Sequence, residues 1–299
     1  MDEGAGNHRR RDPARHTRFQ LRRGQIRTAK DYPIKTSTDE FARLGMQSDL
    51  FRSDAVFMLD RIGVEPGWRC LDLCCGIGGI TDLLSRRVGL AGSVIGADAD
   101  PDKLAFADDW AVVNDFGNVH FVQSDAFATP FAAGSFDLVH CRFALSVIPN
   151  GLGILDHMLT LVRPGGIVFV EEVNIQTMEC VPPAADWDQA LALINETFVR
   201  IGANVRMGPQ LHGVFLAAGL ADIYVRPCLH ALKAGDPMSM HLPSTAAAMR
   251  DTILSLNLIK ADELDALIER LRAHLSKPDT LTLSFCMVQV MGKMPENVR

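Results

Sequence analysis

The sequence predicts an α/β fold, built on a doubly wound and mostly parallel sheet of seven strands. One observation is the stretch 70–81, CLDLCCGIGGIT, where an apolar strand passes through glycines into a helix and leaves room for a nucleotide. A second is that the strand ending on Asp98 lies 22 residues past Gly76, the distance at which a βαβ unit brings a carboxylate to ribose hydroxyls. The third is the alternation of strand and helix patterns over 69–173, which is typical of a sheet covered on both faces.

The elements follow from apolar periodicity and from turn residues. Cap residues at 36–40, then apolar side chains at helical spacing up to 62, predict two N-terminal helices that end at 66–67. Further along the chain, strands are predicted at 69–74, 94–98, 119–123, 136–142, 167–173, 223–232 and 280–292. Helical patterns occupy 79–88, 102–115, 154–161, 184–219 with a break near 207–209, 244–258 and 261–275. A helical insert at about 235–279 therefore precedes the last strand.

Length and composition favour one main domain with additions. The chain has 299 residues, of which 47% are hydrophobic and 22% charged, enough for a full core. We divide it into a basic arm at 1–30, lid helices at 31–66 and the main domain at 67–299. The arm holds eight arginines and is expected to be a disordered, solvated tail, with contact to RNA or an anionic surface as the alternative.

Charge and cysteine usage exclude several classes of function. A net charge of -6 disfavours a nucleic-acid partner, and no apolar run approaches the roughly 18 residues that span a bilayer. The seven cysteines show no paired metal spacing, so we expect no metal site and a reducing, cytoplasmic location. An N-terminal helix on a flexible arm could be exchanged between subunits, which suggests a homo-oligomer.

Further motifs specify the kind of nucleotide site. The third small residue of a dinucleotide fingerprint is replaced by Thr81, which weakens the case for a pyrophosphate. A strand ends on Asp125 and is followed by TPF at 129–131, GSFDLV at 134–139 and RPGG at 163–166. Over about 50–175, the chain resembles the class I S-adenosylmethionine-dependent methyltransferases in all five elements, in order and spacing. More loosely, 202–211 and 216–223 resemble the small-molecule group, including quinone-pathway and antibiotic-tailoring members.

The resemblance implies S-adenosyl-L-methionine as the cofactor. Gly76 and Gly78 would let the backbone approach it, Asp98 would take the ribose hydroxyls, and Asp125 the adenine amino group. Asp72 would support the turn and the methionine amino group. The full set implied to bind the cofactor is Asp72, Cys74, Gly76, Gly78, Asp98, Asp100, Asp125, Ala126 and Arg142. The first glycine of the family turn is Cys74 here, so the backbone must suit a side chain or binding is weakened.

Methyl transfer by in-line displacement requires chiefly alignment of cofactor and acceptor. Three candidate catalytic residues lie near the carboxyl ends of strands four and five: His140, Arg142 and Glu172. For His140 a satisfied core histidine is the alternative, and Glu172 is preferred to Glu171 because alternation lets only one face the pocket. The candidate acceptor residues are Tyr32, Arg43, Gln47, Phe143 and Arg206.

The predicted function is methyl transfer to a small, fairly apolar acceptor. A cyclase or pericyclase that uses the bound sulfonium, or cyclisation triggered by methylation, is the alternative. A nucleic-acid or protein methyltransferase guided by the basic arm is less favoured, because the strand-four tip reads CRFA at 141–144 rather than NPPY and the body is acidic.

Overall fold

The computed structural model describes residues 38–296. The arm at 1–30 and Tyr32 lie outside the described residues. The strands are β1 Arg69–Leu73, β2 Ser93–Asp98, β3 Val119–Gln123, β4 Phe136–Arg142, β5 Val162–Asn174, β6 Glu179–Val181, β7 Ala221–Cys228, β8 Ala231–Lys233, β9 Leu281–Leu283 and β10 Cys286–Lys293. The helices are α1 Thr38–Leu50, α2 Arg52–Ile62, α3 Thr81–Val88, α4 Pro101–Val113, α5 Leu152–Leu161, α6 Ala185–Arg200, α7 Leu211–Ala217, α8 His241–Ala248, α9 Arg250–Ser255 and α10 Ala261–Leu275.

Seven strands form the main sheet in the order β3-β2-β1-β4-β5-β10-β7. Strands β1 to β5 pair in parallel, and β10 runs antiparallel to both of its neighbours, β5 and β7. The order reverses between β1 and β4, which opens a crevice at the carboxyl ends of these strands. The predicted doubly wound, mostly parallel sheet is confirmed.

Alternating side chains explain why both faces of this sheet are covered. Along β1, Cys70 packs with α2 and α3 in one apolar cluster, whereas Leu71 and Leu73 pack with α5 and α7 in another. Strand β5 divides in the same way, with Phe169 on the first face and Val170 on the second. Each buried large apolar side chain contributes about 1.5–3 kcal/mol, so a strand that is apolar on both faces is stable only between two helical layers.

A third apolar cluster joins α6, α8, α9 and α10 into a cap beside the crevice. The predicted helical insert before the last strand is present, but the segment predicted as one helix at 244–258 is two helices, α8 and α9, with Met249 between them. Strands β6, β9 and β8 form a small second sheet that we did not predict. Two of these strands, β8 and β9, overlap segments predicted as longer strands. Strands of three residues are too short to show a period of their own.

Within residues 38–296, no helix has both the length and the apolar character that crossing a membrane requires.

Candidate active site

A cavity of about 340 Å³ lies at the carboxyl ends of β1, β2, β4 and β5. Helix α1 contributes Arg43, Gln47 and Ser48 to its lining, and Ser48 Oγ donates to the Gly79 carbonyl oxygen at 3.0 Å. This bond fixes the lid helix against the glycine turn. The cavity has a polar half at the strand ends and an apolar half beneath the cap.

The glycine turn after β1 forms the floor of the polar half. Gly76 has φ +55° and donates its N–H to Asp98 Oδ2 at 2.8 Å, while the other oxygen of Asp98 accepts from the Asp100 N–H at 3.0 Å. Cys74 lies in the left-handed region at φ +59° and lines the cavity. The side chain therefore occupies a conformation that glycine would adopt without strain.

Gly78 is an exception among the residues implied to bind the cofactor. It has φ +99° but does not line the cavity, and a Cβ built on it would lie 3.2 Å from Thr81 Oγ1. Gly78 therefore shapes the turn from its packed side, because its backbone conformation and the nearby α3 leave little room for a side chain.

Two further acids lie along the rim of the polar half. Asp100 caps α4 by accepting from the Asp102 N–H at 2.9 Å, and Asp125 accepts from the Phe127 N–H at 2.9 Å. Both acids line the cavity, as does Ala126. Each carboxylate is thus held by the backbone in a fixed position.

A buried chain of ionisable side chains links β1, β4 and β5. Asp72 Oδ1 lies 2.8 Å from His140 Nδ1, and His140 Nε2 lies 3.0 Å from Glu171 Oε2. Arg142 Nε donates to the same Glu171 oxygen at 2.5 Å. Although burial favours the neutral forms, Asp72 and Glu171 raise the pKa of His140, and Arg142 and His140 lower the pKa of Glu171 to about 2. The contacts with Arg142 and His140 thus favour the ionised form of Glu171.

This arrangement bears on the catalytic role predicted for His140. Both ring nitrogens of His140 are engaged, so the side chain has no lone pair with which to take a proton from an acceptor. The geometry therefore favours the alternative, a satisfied core histidine that contacts Asp72 and Glu171. Gln289 on β10 donates to Glu171 Oε1 at 2.6 Å, a partner that sequence reasoning missed because nothing in the last strand's apolar pattern marks it.

Glu172, the preferred catalytic carboxylate, does not line the cavity. It is fully buried, and it accepts from the Leu145 N–H at 2.7 Å and from the Ser146 N–H at 3.2 Å. Burial raises the pKa of Glu172 to about 7, although these hydrogen bonds act in the opposite direction and lower it. The expectation that Glu172 faces the pocket was wrong, because the segment after β4 folds back over it and takes up its carboxylate.

The apolar half joins the polar half without a break. Phe143 lines it, and so do apolar side chains from β5, α6 and the cap: Val173, Ile175, Leu191, Ile194, Phe198, Leu242 and Phe285. Arg43 and Gln47 are also in the lining and bond to each other at 2.9 Å, while Glu40 holds the Arg43 guanidinium through two bonds of 2.7 Å. Arg206, predicted to contact the acceptor, is exposed and not part of the lining, whereas its neighbour Val205 is buried and lines the cavity.

Sequence reasoning also missed two polar residues of the cap that line the cavity, His241 and Thr245. Both lie on α8. Burial, together with the charge of Arg43, lowers the pKa of His241 to about 3. The segment's apolar composition points to packing, and only the folded structure brings these two side chains to the cavity.

The strand order, the glycine turn and the acids on the strand ends define a Rossmann-like protein with a site for an adenosyl cofactor. Residues 65–205 match the model of a methyltransferase domain. The chain is 36% identical over 132 residues to a demethylmenaquinone methyltransferase of Lactococcus lactis, covering 44% of this chain and 51% of that protein. A demethylmenaquinone methyltransferase of Geobacillus stearothermophilus is 28% identical over 199 residues, covering 62% of this chain and 82% of that protein.

Solved structures show the same fold. Phosphoethanolamine N-methyltransferase 2 of Haemonchus contortus, in complex with S-adenosyl-L-methionine, matches with a TM-score of 0.55 at 18% identity, covering 92% of this chain and 61% of that one. The domain match and these relatives support a class I S-adenosylmethionine-dependent methyltransferase. The match to the Lactococcus relative spans about half of that protein's length.

Two orphaned polar atoms show that the site suits S-adenosylmethionine. Asp72 Oδ2 and Arg142 Nη2 are buried, have no hydrogen-bond partner within the described part of the chain, and belong to side chains that line the cavity. A carboxylate oxygen and a guanidinium nitrogen complement the ammonium and carboxylate groups of a methionine moiety. The cofactor would satisfy both atoms, and Asp98 and Asp125 line the same cavity.

Proposed function

We propose that this enzyme transfers a methyl group from S-adenosylmethionine to a small, largely apolar ring acceptor, of the kind represented by a reduced quinone. The observation that carries the proposal is the continuity of the cavity, in which the acids of the polar half open directly into the apolar half. The curated relatives named as demethylmenaquinone methyltransferases support a quinone-like acceptor.

Catalysis would rest on alignment. When bound, the cofactor supplies an electrophilic methyl group, and displacement then needs the acceptor atom in line with it. Asp72 and Arg142 would fix the methionine end, because His140 and Glu171 hold both side chains in place. Phe143 and the apolar wall would hold the ring of the acceptor and exclude water.

The acids of the polar half would fix the adenosine end of the cofactor. Asp98 is held by the Gly76 and Asp100 amides and would accept from the ribose hydroxyls. Asp125 and Ala126 would contact the adenine. Cys74, Gly76 and Asp100 complete the contact surface on the cavity side.

A comparison of acceptors tests the proposal. The protein is incubated with methyl-labelled S-adenosylmethionine and with either reduced short-chain demethylmenaquinone or phosphoethanolamine, which is polar. We expect label in the quinone and none in phosphoethanolamine. Labelling of phosphoethanolamine alone would contradict an apolar acceptor. Conversion of an acceptor without S-adenosylhomocysteine would instead indicate the cyclase alternative.

A further inference from the structure

Helix α8 brings two unpaired polar atoms to the largely apolar half of the cavity. His241 Nδ1 and Thr245 Oγ1 are buried and have no hydrogen-bond partner among residues 38–296. Their side chains lie four residues apart, so they share one face of α8, and both line the cavity. Thr245 does not even bond to the carbonyl four residues earlier, the usual partner of a helical threonine.

The surroundings make the pair unusual. Its neighbours in the lining include Leu242 on the same helix and Phe285, whose ring centroid lies 5.3 Å from that of His241. A buried polar atom without a partner lowers folding stability, and apolar side chains of the same shape would avoid this loss. Two such atoms on one helix face therefore indicate a ligand group that pairs with them.

The charge state of the pair indicates which group this is. His241 is neutral at physiological pH, because burial and the charge of Arg43 hold its pKa at about 3. A neutral imidazole offers one donor and one acceptor, and a threonine hydroxyl offers both. An uncharged oxygen function, which can accept from one group and donate to the other, complements this pair.

We propose that His241 and Thr245 form an anchor that binds one oxygen substituent, a hydroxyl or carbonyl, of the otherwise apolar ring acceptor. The inference rests on the proposed function for the class of its ligand. The anchor lies on the cap, whereas the acids assigned to the cofactor lie at the strand ends, so the two sets of contacts belong to different molecules. The anchor would select oxygenated rings and fix their orientation towards the methyl group.

Binding of two ligands of nearly equal shape tests the anchor. Calorimetry on the full chain saturated with S-adenosylhomocysteine compares 1-naphthol with 1-methylnaphthalene. The unaltered protein should bind 1-naphthol more tightly, and Thr245→Val and His241→Phe should each reduce that preference about fivefold. The affinity for 1-methylnaphthalene should stay the same or rise. Ser244→Ala, on the same helix but outside the lining, should keep the preference.

Stability provides a second measurement. Because Thr245→Val removes an unpaired buried polar atom, its thermal midpoint should equal or exceed that of the unaltered protein. The anchor would be overturned if both variants kept the preference for 1-naphthol, or if the unaltered protein showed no such preference. It would also be overturned if the variants lost affinity for both ligands equally. This binding assay does not depend on turnover. If the preference for 1-naphthol is present but no methyl transfer is detected, only the proposed function is contradicted.

Discussion

Asp72 Oδ1 lies 2.8 Å from His140 Nδ1, while the other oxygen of Asp72 is buried and has no hydrogen-bond partner among the described residues. The contact with His140 fixes the orientation of the carboxylate, and therefore also the position of its second oxygen. Because His140 is in turn held by Glu171, the geometry depends on three strands at once. A site preorganised in this way binds a cation without rearrangement.

Replacing Asp72 by Asn should weaken cofactor binding. The substitution removes the charge that would pair with the methionine ammonium and weakens the contact with His140. We expect the affinity for S-adenosylhomocysteine to fall by about 1–3 kcal/mol, measured by calorimetry. Asp156→Asn, at an exposed position of α5, is the matched control. Equal affinities of the two variants would contradict the assigned role.

Asp98→Ala tests the ribose contact. The carboxylate holds the amides of Gly76 and Asp100 and would also accept from ribose hydroxyls, so the affinity for S-adenosylmethionine should fall by roughly 1–3 kcal/mol. Methionine alone, which has no ribose, should bind with unchanged or only slightly altered affinity. An unchanged calorimetric affinity for S-adenosylmethionine would refute the assignment.

The left-handed conformation at Cys74 and Gly76 gives opposite expectations for two substitutions. Cys74→Gly relieves side-chain strain, so the affinity for S-adenosylhomocysteine should stay the same or increase. Gly76→Ala adds a Cβ at φ +55° with no protein atom within 4 Å of it, so the methyl group projects into open space. Because Gly76 lines the cavity, this methyl group would meet the cofactor. The affinity of Gly76→Ala for S-adenosylhomocysteine should therefore fall more than tenfold. Tighter binding by Gly76→Ala than by Cys74→Gly in a fluorescence titration would contradict this geometry.

The pKa of Glu172 links stability to pH. The native pKa is raised to about 7 from a usual value of 4.5, so the native state binds the proton more tightly than the unfolded state. This contribution to stability is complete below about pH 4.5 and is lost as the pH rises through about 7. Denaturant unfolding should show that Glu172→Gln has a shallower decline in stability between pH 5 and 8 than the unaltered protein. Parallel pH profiles would show that Glu172 is not protonated in the native state.

Much of the fold was predictable because its signals are local. Apolar runs, the glycine turn and acids at strand ends report directly on the strands and on the sheet's topology. The cavity lining includes Asp72, Asp98 and Asp125 for the same reason, since carboxyl ends of parallel strands meet at one edge. Gly78 differs because the glycines of the turn look alike in sequence, and only folding shows which of them face the cavity.

The remaining features depend on contacts between distant segments. Glu171 and Glu172 point to opposite faces of β5. Which carboxylate accepts from backbone amides is decided by the position of the segment 144–146, which packs against Glu172. Gln289 reaches Glu171 from the last strand, and His241 with Thr245 reaches the cavity from the cap. No period or motif carries such information.

The most direct test of the account is the stoichiometry of turnover with reduced short-chain demethylmenaquinone. Mass spectrometry should find one S-adenosylhomocysteine for each acceptor that gains a methyl group, and Asp98→Ala should lower the rate of both products together at subsaturating cofactor. Product that carries no added methyl group, or S-adenosylhomocysteine formation that does not depend on an acceptor, would contradict methyl transfer at this site.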